Sequence, residues 1–265
     1  MADFTAIDVK RLRDQTGAGM MDAKKALTTC EGDAEAAASW LRERGLAAQD
    51  KRSERESSEG AVALAVHDST AAIVELRSET DFVAKAPEFT GLADDIAAAV
   101  AERGEGAAGE FDDRLDDLKV TLKENIRLGR VVRIAAAEGN VLDTYLHVQN
   151  DRGKNAVVVE LAGGDRALAH DVAIHIAFAR PAHLTRDEFP PEVVASRRKE
   201  LEALTRNEGK PEQALGKIVE GRMQGFFKGV PGGALLDQPF VKDEKQSVGH
   251  ALGPATVVRF SQVEI

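Results

Sequence analysis

The sequence predicts an α+β protein: an N-terminal three-helix head, a core of two related halves that each combine a small antiparallel sheet with helices, and a helical hairpin arm. Three observations predict it. Apolar residues between Phe4 and Leu41 recur at helical spacing with cap signals at the breaks. An order of strand, strand, helix, helix, strand follows, and then returns further along the chain. Before the last strand, two more helical patterns stand back to back around Asn207-Glu208-Gly209-Lys210-Pro211.

The head reads first. Thr5 followed by Asp8 makes a capping box, and Phe4 with Val9 stands where a hydrophobic staple clamps the incoming chain, so a helix is expected from Ala6 to about Thr16-Gly17. A second is expected from about Met20 through Leu27, and a third from an Asp33 cap through Ala37, Trp40 and Leu41 to a stop at Gly45. Residues 1–46 would thus form a unit too small to be more than marginal alone. Residues 47–60, AAQDKRSERESSEG, are charged and Ser-rich without apolar periodicity, which marks a linker or a solvated helix extension, with Lys51, Arg52 and Arg55 on a solvated face.

The first core half is expected over residues 61–139. Val62, Leu64 and Val66 alternate, His67-Asp68-Ser69-Thr70 turns the chain, and Ala71 to Leu76 returns it as a β-hairpin. Phe89, Leu92, Ile96 and Val100 line one helix; Phe111, Leu115, Leu118, Leu122 and Ile126 line another; Arg130 to Ile134 reads as the third strand. The second half, 140–265, repeats this order. Its hairpin is Val141 to Val148 with Asn155 to Leu161, where Val158-Val159-Glu160-Leu161 echoes Ile73-Val74-Glu75-Leu76. Leu168 to Ala173 echoes Leu92 to Ala97, and Val257-Val258-Arg259-Phe260 echoes Val131-Val132-Arg133-Ile134.

The halves differ in two places. The stretch from Glu75 to Leu92 exceeds the stretch from Glu160 to Leu168 by nine residues, and the excess contains Thr80-Asp81-Phe82-Val83-Ala84-Lys85. A loop that the shared fold does not require, carried on a rigid scaffold, is where binding residues are expected. The second half carries its own insertion at about 190–229: Pro190-Pro191 opens a helix through Val194, Leu201 and Leu204, and Leu215, Ile218, Met223 and Phe226 form its partner. Two roles are open to this hairpin, a projecting arm or a surface for self-association.

Composition excludes several classes. The single cysteine, Cys30, leaves no internal disulfide framework and no thiolate cluster, as in a reducing, cytoplasmic compartment. No apolar run approaches the roughly 20 residues of a membrane helix, so no membrane partner is expected. A formal net charge of −10, from 35 Lys plus Arg against 45 Asp plus Glu, disfavours nucleic acid as the main partner. Phosphate-loop, dinucleotide, nucleophile-elbow and His-Glu-x-x-His patterns are missing, and His170 and His175 lie five residues apart, on different helix faces. We therefore expect no catalytic residue, no metal and no cofactor.

Arg11 to Leu27 (RLRDQTGAGMMDAKKAL) resembles the N-terminal signature of the elongation factor Ts family, and so does the loop Ser78 to Lys85 (SETDFVAK). Glu208-Gly209-Lys210-Pro211, Ile218 to Arg222 and Gln238-Pro239-Phe240-Val241 are similar to the same family, so the resemblance spans essentially the whole chain. It implies a non-catalytic, cytoplasmic guanine-nucleotide exchange factor of elongation factor Tu. In that reading the head, which resembles ubiquitin-associated three-helix domains, docks on the partner's nucleotide-binding domain. Thr80, Asp81, Phe82 and Val83 bind the partner and disturb its magnesium site. Arg13, Met20, Met21 and His147 are weaker candidate contacts. Two departures stand out: Ala86-Pro87 follows the loop, and no helical pattern follows the last strand, so a smaller partner interface is expected.

The residues alone leave alternatives open. Phe82 could be a buried staple for the helix carrying Phe89 and Leu92, and Asp81 could be the N-cap of a short turn over Phe82 to Lys85. At least one of Met20 and Met21 is expected in the head's core. Arg13 could simply be solvated. Two further functions also stand: an adaptor in which the head holds a client, or an enzyme using Asp81 or His147 as acid or base.

Overall fold

The structure, a computed structural model, describes residues 4–50 and 54–265, with the backbone alone at 46–50. In chain order it contains α1 (Ala6–Thr16), α2 (Met20–Thr29), α3 (Ala34–Asp50), β1 (Glu59–His67), β2 (Thr70–Ser78), α4 (Asp81–Ala84), α5 (Pro87–Arg103), α6 (Asp112–Leu122) and β3 (Arg127–Ala135). There follow β4 (Val141–Gln149), β5 (Arg152–Ala162), α7 (Arg166–Ala179), α8 (Pro191–Asn207), α9 (Glu212–Phe227), β6 (Pro239–Phe240), β7 (Asp243–Ser247), α10 (Val248–Ala251) and β8 (Thr256–Glu264).

The head begins as its caps dictate. Thr5 and Asp8 form a reciprocal capping box, and Gly17, at φ 65°, ends α1 by donating its N–H to the Arg13 carbonyl. Asp33 Oδ1 accepts the N–H groups of Glu35 and Ala36 at the start of α3. Val9, Leu12, Ala23, Ala26, Leu27, Ala37 and Leu41 form the core, with Phe4 packed against it. The expected stop at Gly45 is corrected: α3 runs on to Asp50. Gly45 serves a contact instead, because a Cβ there would lie 2.5 Å from Cγ1 of Val120 on α6. Arg42 adds ion pairs to Asp113 and Asp117 of α6, both at 3.1 Å, so the head sits against the core through α3 and α6. The solvated face expected at Lys51 and Arg52 lies outside the described residues, while Arg55 pairs with Glu79 at 3.4 Å.

The core is a face-to-face pair of three-stranded antiparallel sheets, ordered β1-β2-β3 and β4-β5-β8. Alternation along each central strand assigns its side chains. Ala72, Val74 and Leu76 face α5 and α6, while Ala71 and Ile73 face the other sheet. Val157, Val159 and Leu161 face α7, while Ala156 and Val158 face Ala71 and Ile73. Four layers result, helix, sheet, sheet, helix, each sheet being buried on both faces.

The internal echo has a structural meaning. Glu75 and Glu160 are both buried on central strands, each where its closing strand bulges. Glu75 accepts the N–H of Arg130 at 2.8 Å, freed from the ladder by the bulge, and pairs with Arg77. Glu160 accepts from the Ala137 N–H, Asn140 Nδ2 and Arg259 Nε at 2.7–2.8 Å. Burial pushes the Glu160 carboxyl up, but these three hydrogen bonds outweigh it and hold it below the usual carboxylate range.

One helix is shorter than the periodicity suggests. Phe111 ends a 3-10 turn (Glu105–Phe111) before α6, and Lys123, at φ 59°, ends α6 before Ile126. Ile126 still reaches the first core because the backbone of Asn125 is held on both sides, its N–H by Glu79 and its carbonyl by Ser57. The arm is a helical hairpin, α8 and α9, closed by Phe189, Leu201, Leu215, Val219, Met223 and Phe227. Phe189 packs edge-on against Phe226 and Phe227 at 5.3 and 5.5 Å.

Candidate functional site

The loop carried only by the first half is a rigid platform. The Thr80 side chain accepts the Val83 N–H at 3.4 Å and caps the single turn α4, so the N-cap is Thr80 and not Asp81, which occupies the first helical position. Ala86 then caps α5 with Pro87 in its first turn, where the missing N–H costs nothing. The Ala86-Pro87 departure therefore joins α4 to α5 with two cap residues, Lys85 and Ala86, between the two helices.

A residue not singled out from the sequence holds this platform down. Glu124, just past α6, accepts the N–H groups of Glu79 and Thr80 on Oε2 at 3.0 Å each and the Thr80 hydroxyl on Oε1 at 2.5 Å. Glu79 answers with a bond from the Asn125 N–H at 2.7 Å, and Asn125 Nδ2 reaches the Arg55 carbonyl at 2.6 Å. The segment before β1, the loop and the end of α6 are thus tied together. The only sequence signal was the polar triplet Lys123-Glu124-Asn125 interrupting an apolar stripe.

On that platform Phe82 stands out. The residue is 73% exposed, which overturns the buried-staple alternative; Phe89 and Leu92 fill the core without it. Lys85 lies over the ring at 4.4 Å and pairs with Asp81 at 3.4 Å. Val83 packs partly into the first core and Ala84 is buried there, so the turn is anchored on one side and presents Phe82 and Asp81 on the other.

The weaker candidates lie elsewhere. Arg13 is exposed in the last turn of α1. Met20 and Met21 are 48% and 74% exposed at the start of α2, so neither joins the head's core: Ala23, Ala26 and Leu27 occupy it and turn the first residues of the helix outward. Ile7, also exposed on the head, escaped sequence reasoning. His147 is exposed on the edge strand β4, at the bulge before the exposed Val148. The candidates thus occupy three regions: head, first-half loop and second-sheet edge.

The comparisons with known proteins decide the family, for the elongation factor TS family matches residues 79–265. The chain belongs to the elongation factor Ts family. Elongation factor Ts of Clavibacter michiganensis subsp. michiganensis is 43% identical over 279 aligned residues, covering 100% of this chain and 99% of that protein. Elongation factor Ts of Mycolicibacterium vanbaalenii is 44% identical over 282, with the same coverage, and that of Micrococcus luteus 43% identical over 268, covering 96% of this chain and 95% of that protein. Both long relatives extend over the head as well as the core. The family consists of non-catalytic nucleotide exchange factors, and elongation factor Tu is the partner it implies.

Two further elongation factor Ts segments find structural explanations. Gln238, fully buried, donates to the carbonyls of Ala179 and Gly229 and accepts from His175 Nε2 at 3.1 Å. Val241 donates its N–H to His175 Nδ1 at 3.2 Å. The Gln-Pro-Phe-Val segment thus pins the hairpin's base to α7. The Glu208-Gly209-Lys210-Pro211 segment turns the hairpin, with Glu208 on Arg222 at 2.7 Å. Among the described residues no group of three His, Cys, Asp or Glu could hold a metal ion, and no helix is long and apolar enough to cross a membrane.

Proposed function

We propose that this chain promotes GDP release from elongation factor Tu in the cytoplasm by inserting Phe82, on its clamped turn, against the partner's nucleotide-binding domain, with Asp81 disturbing the magnesium site. The observation that carries the reading is the exposed ring on a rigid mount. A large aromatic facing solvent gains about 1.5–3 kcal/mol when a pocket buries it, and a mount already fixed by Glu124 spends little of that gain on ordering. Asp81 supplies a carboxylate beside the ring, where it competes for the strongest local charge, the cation.

The labour divides along the chain. Residues 1–46 dock, 47–60 connect, 61–139 carry the Thr80-Asp81-Phe82-Val83 wedge, and 140–265 present His147 and the arm. Arg13, Met20 and Met21 supply the head's contact, one cation beside two adaptable thioethers. Binding alone does not exchange nucleotide: the factor must prefer the empty partner. By reciprocity, the factor by which it weakens GDP is the factor by which GDP weakens it, so incoming nucleotide dismantles the complex. Release of labelled GDP from elongation factor Tu tests the proposal, and a wild-type chain that leaves the release rate unchanged refutes it. The adaptor reading would survive only if the head alone kept full activity.

A second copy of the chain is the partner we assign to the outer face of α8. Val193, Arg197, Glu200 and Leu204 fall on one stripe, and only Leu201 and Thr205 of this helix are buried. The stripe is self-complementary about a two-fold axis between Arg198 and Lys199: an antiparallel copy sets Val193 against Leu204 and brings Arg197 and Glu200, which pair with each other within the helix at 3.0 Å, opposite their counterparts so that the pairs exchange partners across the axis. Sedimentation should show Arg197→Glu lowering dimer content and Arg197→Glu with Glu200→Arg restoring it. A monomer at all concentrations would exclude this pairing.

A further inference from the structure

A cleft of about 590 Å3 opens between the end of α9, the turn at Leu235–Asp237 and the β7–α10 segment. Arg186, Lys228, Asp237, Lys245 and His250 line it, and two glutamines and a serine complete a wholly polar wall. In a chain of formal charge −10 this concentration of cations is unexpected.

The Arg186 charge is already taken, by a two-pronged bond to Asp237 at 2.9 and 2.5 Å. Lys228, Lys245 and His250 form no ion pair among the described residues. Glu220 is paired with Arg198 at 2.9 Å, while Asp243, which accepts from the Lys245 N–H and from Gln246 at 3.2 Å each, keeps its charge beside the cleft and offsets part of the positive potential. Lys228 caps α9, where the helix dipole favours a cation, and His250 stands in the last turn of α10, but Lys245 has no such structural reason to converge on the cleft. Like charges held across a concavity repel one another and concentrate anions there.

The wall also narrows the ligand's chemistry. It holds no Phe, Tyr or Trp ring on which a base could stack, the His250 imidazole being its one aromatic group, and no large apolar side chain of the kind that anchors protein interfaces. Its volume exceeds what one inorganic phosphate would fill. We propose that this cleft binds a chain of phosphate groups, recognised by charge alone, with Lys228 and Lys245 as the principal contacts. The site is separate from the Phe82 loop and does not depend on the exchange reading.

The test titrates the full chain against fluorescently labelled inorganic polyphosphate and, separately, a labelled single-stranded RNA of mixed sequence, across a range of salt. At least one polymer should bind, with a log–log salt slope of about −1.4, from about 0.7 for each phosphate neutralised by Lys228 and Lys245. The two arms tell which source of phosphates the cleft accepts. Lys228→Ala with Lys245→Ala should weaken binding at least tenfold without changing GDP release, while Tm falls by no more than a few degrees from loss of the cation at the end of α9. Lys199→Ala with Lys217→Ala removes the same charge from the arm and should leave binding intact. The proposal falls if neither polymer binds at low salt, if the arm variant loses as much, or if only a polyglutamate peptide binds through these lysines.

Discussion

Glu124 grips Thr80 at two points, taking its hydroxyl on one carboxylate oxygen and its N–H on the other, so the turn that displays Phe82 is set by a residue more than forty positions away. Hydrogen bonds to a charged acceptor contribute about 1.5–3 kcal/mol when shielded and less at a half-exposed site such as this. Glu124→Ala should therefore slow GDP release about tenfold with Phe82 untouched, while Tm falls by only a few degrees. Full exchange activity in that variant would mean the mount need not be rigid.

Phe82→Ala separates function from fold in the other direction. The ring faces solvent and touches Lys85, so removing it leaves no cavity. Thermal denaturation should be unchanged to within about 0.5 kcal/mol, while GDP release slows by tenfold or more, as expected from losing about 1.5–3 kcal/mol of burial. Equal release rates for variant and wild type would remove the ring from the mechanism.

The fit of head on core rests on Gly45. Gly to Ala inside a helix normally stabilises by about 1 kcal/mol, yet here the new methyl meets both methyls of Val120, at 2.5 and 2.8 Å. A β-branched side chain has little rotamer freedom to retreat, so overpacking at about 1–3 kcal/mol decides the sign. Chemical denaturation should show Gly45→Ala destabilised, and Val120→Ala in the same chain should recover much of the loss. Additive losses in the double variant would show that the two side chains do not meet.

Stability should fall in two steps on acidification. Burial holds the His175 imidazole below its ordinary 6.5, against a smaller opposing effect of Gln238, and Nδ1 must stay unprotonated to accept the Val241 N–H. The unfolded chain takes up that proton near 6.5, so this contribution is complete above about 6.5 and is lost as pH falls below it, by at most about 1.4 kcal/mol per unit. Glu160, held below its ordinary 4.5, contributes above that value and loses its contribution as pH falls further. Tm measured from pH 8 to 5 should drop less steeply for His175→Gln than for wild type. Parallel curves would reject the assignment to His175.

Much of the fold and part of the site were legible in the residues alone. Caps and periodicity located the head, the two sheets and the hairpin because those signals are local, set by hydrogen bonds within a turn and by which face is apolar. The repeat was visible because Glu75 and Glu160 meet the same need on equivalent strands. Phe82 was singled out because its loop is surplus to that repeat.

What the sequence by itself determined, then, was the order of elements, the kinship of the halves, the family and the loop that departs from the repeat. Only the tertiary structure decided that Gly45 fits against Val120 instead of ending a helix, that Thr80 and not Asp81 caps the wedge, and that Glu124 fixes it. Each of those depends on a contact between segments remote in sequence, and the free energy of such a contact comes from burial and hydrogen-bond geometry that no local pattern encodes.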